Sequence, residues 1–271
     1  MIYVNPRLKN PEQVYCGRED SYLKEASLIL KGKRGSHRDP NYREHLRVIA
    51  HFKPRGRFLD VGSNMGLFLR HAIGKEWELF GIEPSPTLSK IARERFQLNV
   101  KTAFLEEAEF PSEFFDIVSL IDVFEHIKEP KKLLLEVHRI LASGGIVYIN
   151  VPNGNFNIFK LRLARWFRKT QDHDLFDAYE HVVHYTHGTL MPMVERFGFQ
   201  AKVVRIGLPV QIPVWHLYVG QYYQYPSPWV LDPLRQTLRV VFHRASWLEY
   251  YLRGKRVGWL APNITIVATK T

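Results

Sequence analysis

The 271-residue chain predicts an α/β fold. The expected architecture is a doubly wound, mostly parallel seven-stranded sheet with an antiparallel last strand, a helical N-terminal lead-in and an aromatic-rich insertion before that strand. Three observations predict it. First, Phe58-Leu-Asp-Val-Gly-Ser-Asn-Met-Gly66 reads as a buried strand closed by the acid Asp60, then a turn framed by Gly62 and Gly66, then the apolar start of a helix. In an open parallel sheet, that turn is where a nucleotide-like ligand lies. Second, the strand Glu78–Glu83 ends in another acid, 21 positions after Gly62. That is about the ~20-residue spacing from which a carboxylate reaches a ribose diol. Third, short apolar runs alternate with amphipathic segments from 57 to 152, the pattern of right-handed crossovers in a sheet covered by helices.

The elements follow in order. Residues 1–55 form the helical lead-in. Glu19–Leu30 carries apolar residues at helical spacing, Gly32 and Gly35 break it, and Asp39 with Pro40 opens a second helix as N-cap and first residue. The core is assigned to 56–206 and 262–271. Its strands are Arg57–Val61, Glu78–Glu83, a short one near Asn99–Thr102, Phe115–Asp122 and Gly145–Val151. Phe115–Asp122 is nearly continuous apolar sequence, as a strand buried on both faces requires. Pro86 opens a helix to Phe96, and the helix Pro130–Leu141 is expected to end at Gly144-Gly145. Beyond 152 come a basic, aromatic helix candidate (Phe156–Lys169) and a histidine- and acid-rich stretch (170–187). A helix Thr189–Phe197 is ended by Gly198, and a strand Phe199–Ile206 follows. The insertion, 207–261, holds a helix from Asp232 to about Tyr251, and Ile264–Thr269 is the last strand.

Bulk composition excludes several classes. Hydrophobic residues make up 45% of the chain, enough for a sizeable core. The single cysteine, Cys16, excludes a disulfide framework and a cysteine-based zinc site within the chain. With no leader pattern at the start and no 18-residue apolar run, a cytoplasmic location is expected, with peripheral contact to the inner face of a membrane left open. The net charge of +11 favours acidic partners: phosphorylated small molecules, anionic lipid surfaces or nucleic acid.

Four blocks carry a family resemblance: Phe58–Gly66, Phe80–Ser85, Phe115–Pro130 and Leu133–Pro152. The chain resembles a class I S-adenosylmethionine-dependent methyltransferase with a Rossmann-like fold, of the group that includes the ubiquinone-biosynthesis O-methyltransferases. His181–Phe199 is similar to the group's histidine-containing segment. The opening Tyr3-Val-Asn-Pro-Arg7 also looks like the start of members that carry a cysteine-rich zinc module, which is missing here. One departure lies in the key turn, where Asn64 replaces the family's third glycine. Asparagine tolerates a left-handed backbone, so the turn can survive. A nicotinamide fingerprint wants glycines at 62, 64 and 67, and this chain has Gly62, Asn64 and Leu67.

The resemblance implies S-adenosyl-L-methionine as cofactor. Gly62 and Gly66 would allow close backbone approach, with Ser63 and Asn64 between them. Glu83, followed by Pro84, would take the ribose hydroxyls, and Asp60 the methionyl ammonium or a loop-bracing role. Phe104 and Leu105 fall on the adenine-lining segment, where a core role explains them equally well. Asp122 and Val123 sit at the end of the fourth strand, beside the expected methyl group. His126 is suited to act as general base, with bracing of a helix start as the alternative. His181 is a second candidate base or acceptor contact, against ordinary polar loop contacts. Quinone O-methyltransferases associate the acid, acid and histidine matching Asp122, Glu125 and His126 with a divalent cation, but no metal is assigned here. His173, His181, His184 and His187 also cluster in sequence without zinc-like spacing.

The expected activity is O-methylation of a small-molecule hydroxyl on a sugar, lipid-linked saccharide or natural product. An RNA methyltransferase or an inactive adenosylmethionine-binding scaffold are the alternatives. The acceptor is expected to be a small molecule, acidic or lipid-linked, since no nucleic-acid recognition module is visible. The insertion's aromatics suit a lid, a dimer contact or an interfacial anchor, and the basic helix Phe156–Lys169 suits a membrane surface.

Overall fold

The described elements of the computed structural model begin with β1 (Ile2–Tyr3), α1 (Asp39–Phe52), β2 (Gly56–Val61), α2 (Leu67–Arg70), β3 (Trp77–Ile82), α3 (Pro86–Phe96) and β4 (Asn99–Lys101). They continue with β5 (Phe115–Ile121), α4 (Pro130–Ile140), β6 (Leu141–Pro152) and α5 (Gly154–Trp166). The last are β7 (Val183–His184), α6 (His187–Arg196), β8 (Phe199–Arg205), α7 (Asp232–Leu252) and β9 (Asn263–Lys270). The structure describes residues 2–3, 23, 27, 29, 38–166, 181–205 and 232–271. Most of the expected helix Glu19–Leu30, residues 167–180 with His173, and the aromatics of 207–231 lie outside the described residues.

Seven strands form one sheet in the order β4-β3-β2-β5-β6-β9-β8. The pairs among β2–β6 are parallel, whereas β9 runs antiparallel to both β6 and β8. The strand order reverses between β2 and β5, so the crevice at their carboxyl ends is the topological switch point where ligands bind. Alternation along the strands divides the core. Phe58, Ile117, Ile146 and Tyr148 pack beneath α1 and α2 through Leu46, Ile49 and Phe68. Leu59, Val118, Leu120, Val147 and Ile149 face the other way, onto Leu133, Leu134 and Val137 of α4.

The structure corrects the sequence reading at several boundaries. Arg38, not Asp39, is the N-cap of α1. Asp39 lies in the first turn, and its carboxylate meets His71 Nε2 at 2.8 Å instead of the helix amides. β6 starts at Leu141, directly from the end of α4, and Gly144, with φ 67°, lies inside the strand. Phe115 pairs with Leu141 there, and the β5–β6 register shifts before Ile117, so sheet pairing overrides the glycine stop. The lead-in also contains strand: Ile2 and Tyr3 pair antiparallel with His184 and Val183. α6 begins two residues before the expected Thr189, because Thr186 caps it and its N–H donates to Thr189 Oγ1 at 2.9 Å.

Candidate cofactor and acceptor site

The turn after β2 is pinned to the end of β3. Gly62 and Ser63 both donate their N–H to Ile82 O, at 2.8 and 3.0 Å. Gly62 (φ 69°), Asn64 (φ 52°) and Gly66 (φ 82°) take left-handed backbone conformations. Asn64 is stabilised locally, since its Oδ1 accepts the Met65 N–H at 2.7 Å. A Cβ on Gly66 would stand 2.4 Å from Leu98 Cδ1, and one on Gly62 2.6 Å from Val123 Cγ2. Both glycines therefore have a packing reason as well as a conformational one. Ser63 is buried, with its Oγ packed against Gly81.

Glu83 follows β3 and is 5% exposed. Its carboxylate accepts the Asn64 N–H at 2.8 Å and the Ser85 N–H at 2.9 Å, which ties the turn, the acid and the start of α3 into one unit. Pro84 and Asn64 beside it are half-buried. Farther along, Phe104 is 45% exposed while its neighbour Leu105 is buried in the core.

Asp60 and Ser119 lie side by side on β2 and β5, with Ser119 Oγ donating to Asp60 Oδ1 at 2.5 Å. Burial pushes the Asp60 carboxyl up to about 7, against the Ser119 hydrogen bond and with help from the Glu83 charge. Asp122 (φ 54°) ends β5. Asn150 Nδ2 donates to its Oδ1 at 2.9 Å, and Thr265 in turn donates to Asn150 Oδ1 at 2.8 Å. Burial raises Asp122, while the Arg38 charge and the Asn150 hydrogen bond oppose the rise.

Helix α1 overhangs this edge. His45 Nδ1 and the Tyr148 hydroxyl share a buried hydrogen bond of 2.6 Å. From there α1 runs back about 6 Å to Asn41. β6 runs forward a comparable ~6.6 Å from Tyr148 to Asn150. Asn41 is 2% exposed, and neither its Nδ2 nor its Oδ1 has a hydrogen-bond partner in the protein. Such a group is costly to bury unless a ligand or water completes it. Sequence reading missed Arg38 and Asn41, because nothing local marks which helix face meets the sheet edge.

At the carboxyl end of β5, a 3₁₀ turn (Phe124–His126) follows. His126 Nε2 lies 4.0 Å and His181 Nε2 3.8 Å from Glu125 Oε1, and the two imidazole centroids are 4.9 Å apart. The Glu125 side chain is 2% exposed and neither carboxylate oxygen has a hydrogen-bond donor in the protein. Burial, reinforced by the Asp122 charge, raises its proton affinity well above the ordinary range. The segment carrying His181 is docked by the Gly154 N–H, which donates to Tyr185 O at 2.7 Å, and by Phe124 against Tyr185. His184 receives Asn157 Nδ2 on its Nδ1 at 3.2 Å. Glu125, His126 and His181 are the donor set whose ligand atoms all lie within 4.8 Å of one another among the described residues. Asp122 is outside that set.

The residues fit adenosylmethionine: a fixed buried carboxylate for a diol, an acid near neutrality for an ammonium, and an uncompleted amide under α1. A methyltransferase-domain family profile matches residues 35–203. The chain belongs to the class I S-adenosylmethionine-dependent methyltransferases. Among curated relatives of this methyltransferase, the ubiquinone biosynthesis O-methyltransferase of Rhodopseudomonas palustris (strain BisB18) is 26% identical over 154 residues, 52% of this chain. An uncharacterised Methanocaldococcus jannaschii protein is 30% identical over 110 residues, 41% of this chain. The matches span 60% and 51% of those two proteins. A Thermotoga maritima structure described as a SAM-dependent methyltransferase, possible histamine N-methyltransferase, aligns with TM-score 0.55 and 18% identity over 93% of this chain and 96% of that one. Phosphoethanolamine N-methyltransferase 2 of Haemonchus contortus, solved with S-adenosyl-L-methionine, gives TM-score 0.53 and 18% identity over 84% of this chain and 52% of that one. At these identities the structures speak to the fold.

Proposed function

We propose that the protein transfers a methyl group from S-adenosylmethionine to a hydroxyl of a small-molecule acceptor, of the sugar, lipid-linked saccharide or natural-product class. The observation that carries this reading is the convergence of His126 and His181 on buried Glu125 at the carboxyl end of β5. An amine acceptor needs only to arrive unprotonated; a hydroxyl benefits from a base. The similarity, at 26% identity, to the R. palustris ubiquinone biosynthesis O-methyltransferase supports the same reading.

When bound, the cofactor supplies a methyl group on a positively charged sulfur. Glu83 would accept from its ribose hydroxyls, with Phe104 along the adenine and Leu105 behind it in the core. Asp60 would pair with the methionyl ammonium, and Arg38 and Asn41 would hold the carboxylate. His126 would take the acceptor's hydroxyl proton, with His181 as the second candidate, and Glu125, which favours its own proton, lies beside both rings. Much of the rate comes from in-line positioning and exclusion of water.

The test is a labelled-methyl screen over small-molecule extracts, followed by His126→Ala and His181→Ala variants on the acceptor found. One of them should lower kcat by about 10²–10⁴-fold while S-adenosylhomocysteine affinity is kept. Normal turnover in both variants would sink the base assignment. One carboxylate and two imidazoles also suit a divalent cation, a second reading favoured by the 4.8 Å cluster. Activity that survives exhaustive chelation would remove it.

A further inference from the structure

Helix α7 carries an apolar stripe on its outer side. Val241 is 54% exposed, Leu248 61% and Leu252 79%, while Ser246 and Tyr250 on the opposite side are buried. Spacings of seven and four residues place the three aliphatic side chains on one line along the helix, and Tyr251, 62% exposed, borders it.

The rim of this stripe is cationic. Arg244, Arg253, Lys255 and Arg256 are all exposed. Between Val241 and Arg256 the one acid is Glu249, and it is engaged inward: it accepts the Trp259 and Leu260 N–H groups at 2.9 and 2.8 Å and Arg253 Nε at 2.9 Å. The patch continues onto α5. The Arg162 guanidinium lies 4.9 Å over the Trp259 ring, which brings the end of α5 beside the turn that follows α7. One helical turn beyond Arg162, Trp166 is 82% exposed.

An aliphatic line bordered by aromatic rings and an excess of cations is the composition of a helix lying in a membrane interface. A second copy of the chain is a poor occupant, because pairing two such faces opposes like charges. We infer that the outer face of α7, with Trp166 at the end of α5, is a docking surface for an anionic lipid bilayer. The protein's net charge of +11 draws it to such a surface, and the aliphatic line holds it there.

The test is co-sedimentation of the full chain with vesicles of phosphatidylglycerol in phosphatidylcholine, against pure phosphatidylcholine vesicles. Binding should require the anionic lipid, weaken with salt, and fall about tenfold or more in both Leu248→Glu/Leu252→Glu and Arg244→Glu/Lys255→Glu. Thermal midpoints should stay at the parent value, since all four side chains are exposed. No sedimentation with the anionic vesicles, or equal binding to both vesicle types, would overturn the inference. So would a concentration-dependent dimer that the double leucine variant dissociates, which would give the face to a second copy.

Discussion

Three carboxyl groups at the carboxyl ends of β2 and β5 are buried and favour their protons: Asp60, Asp122 and Glu125. For Asp60 the folded value of about 7 stands above the unfolded 3.8. A group raised on folding contributes stability that is fully present below its unfolded value and lost as pH rises through the folded one. The Asp60 contribution to the thermal midpoint of the ligand-free protein should therefore fall from about pH 4 to about pH 7. Asp60→Asn should flatten part of that decline, and an unchanged slope would refute the assignment. Binding should run the other way if the carboxylate meets an ammonium: S-adenosylhomocysteine affinity, measured calorimetrically, should rise with pH through about 7 in the parent and not in Asp60→Asn. Asn41→Leu gives a complementary test. It removes two buried polar atoms that the protein itself leaves unbonded, so stability should hold or increase, while S-adenosylhomocysteine affinity falls about tenfold. Glu83→Ala should cost about 2–4 kcal/mol of that affinity, since it also strips the Asn64 and Ser85 amides of their acceptor.

The glycine turn and the elements around it show what local sequence encodes. β2, β3 and β5 are legible because each is an apolar run ended by an acid or a glycine turn, and α3 because proline and periodicity agree. Asn64 keeping φ at 52° follows from its side-chain chemistry. Gly66→Ala should destabilise the protein by about 1–3 kcal/mol or more, through its positive φ and the contact with Leu98, read as a lowered thermal midpoint. Other features are not local. The 3₁₀ turn Phe124–His126 and the strand Val183–His184 are too short to carry a period. The meeting of His126 with His181 spans 55 positions and depends on Gly154 and Phe124 holding the Tyr185 segment. β6 starts early for the same kind of reason, because pairing with Phe115 outweighs two glycines.

At the scale of the whole molecule, no helix among the described residues is long and apolar enough to cross a membrane. The sheet's strand reversal lies between β2 and β5, with α1 over the half proposed for the cofactor and the His181 segment beside the half proposed for the acceptor. That segment has β1 as a sheet partner, through Ile2 and Tyr3. Removing residues 1–5 should lower kcat on the acceptor while S-adenosylhomocysteine affinity stays at the parent value. Equal losses in both would place β1 in the cofactor half instead. The pairing also sets an order of events during synthesis. At about 5–20 residues per second, Ile2 waits roughly 10–35 s for His184 to leave the ribosome. Every residue assigned to the cofactor, from Arg38 to Val123, is made within that interval. The residues proposed for the methyl donor are thus all made before the segment that carries His181.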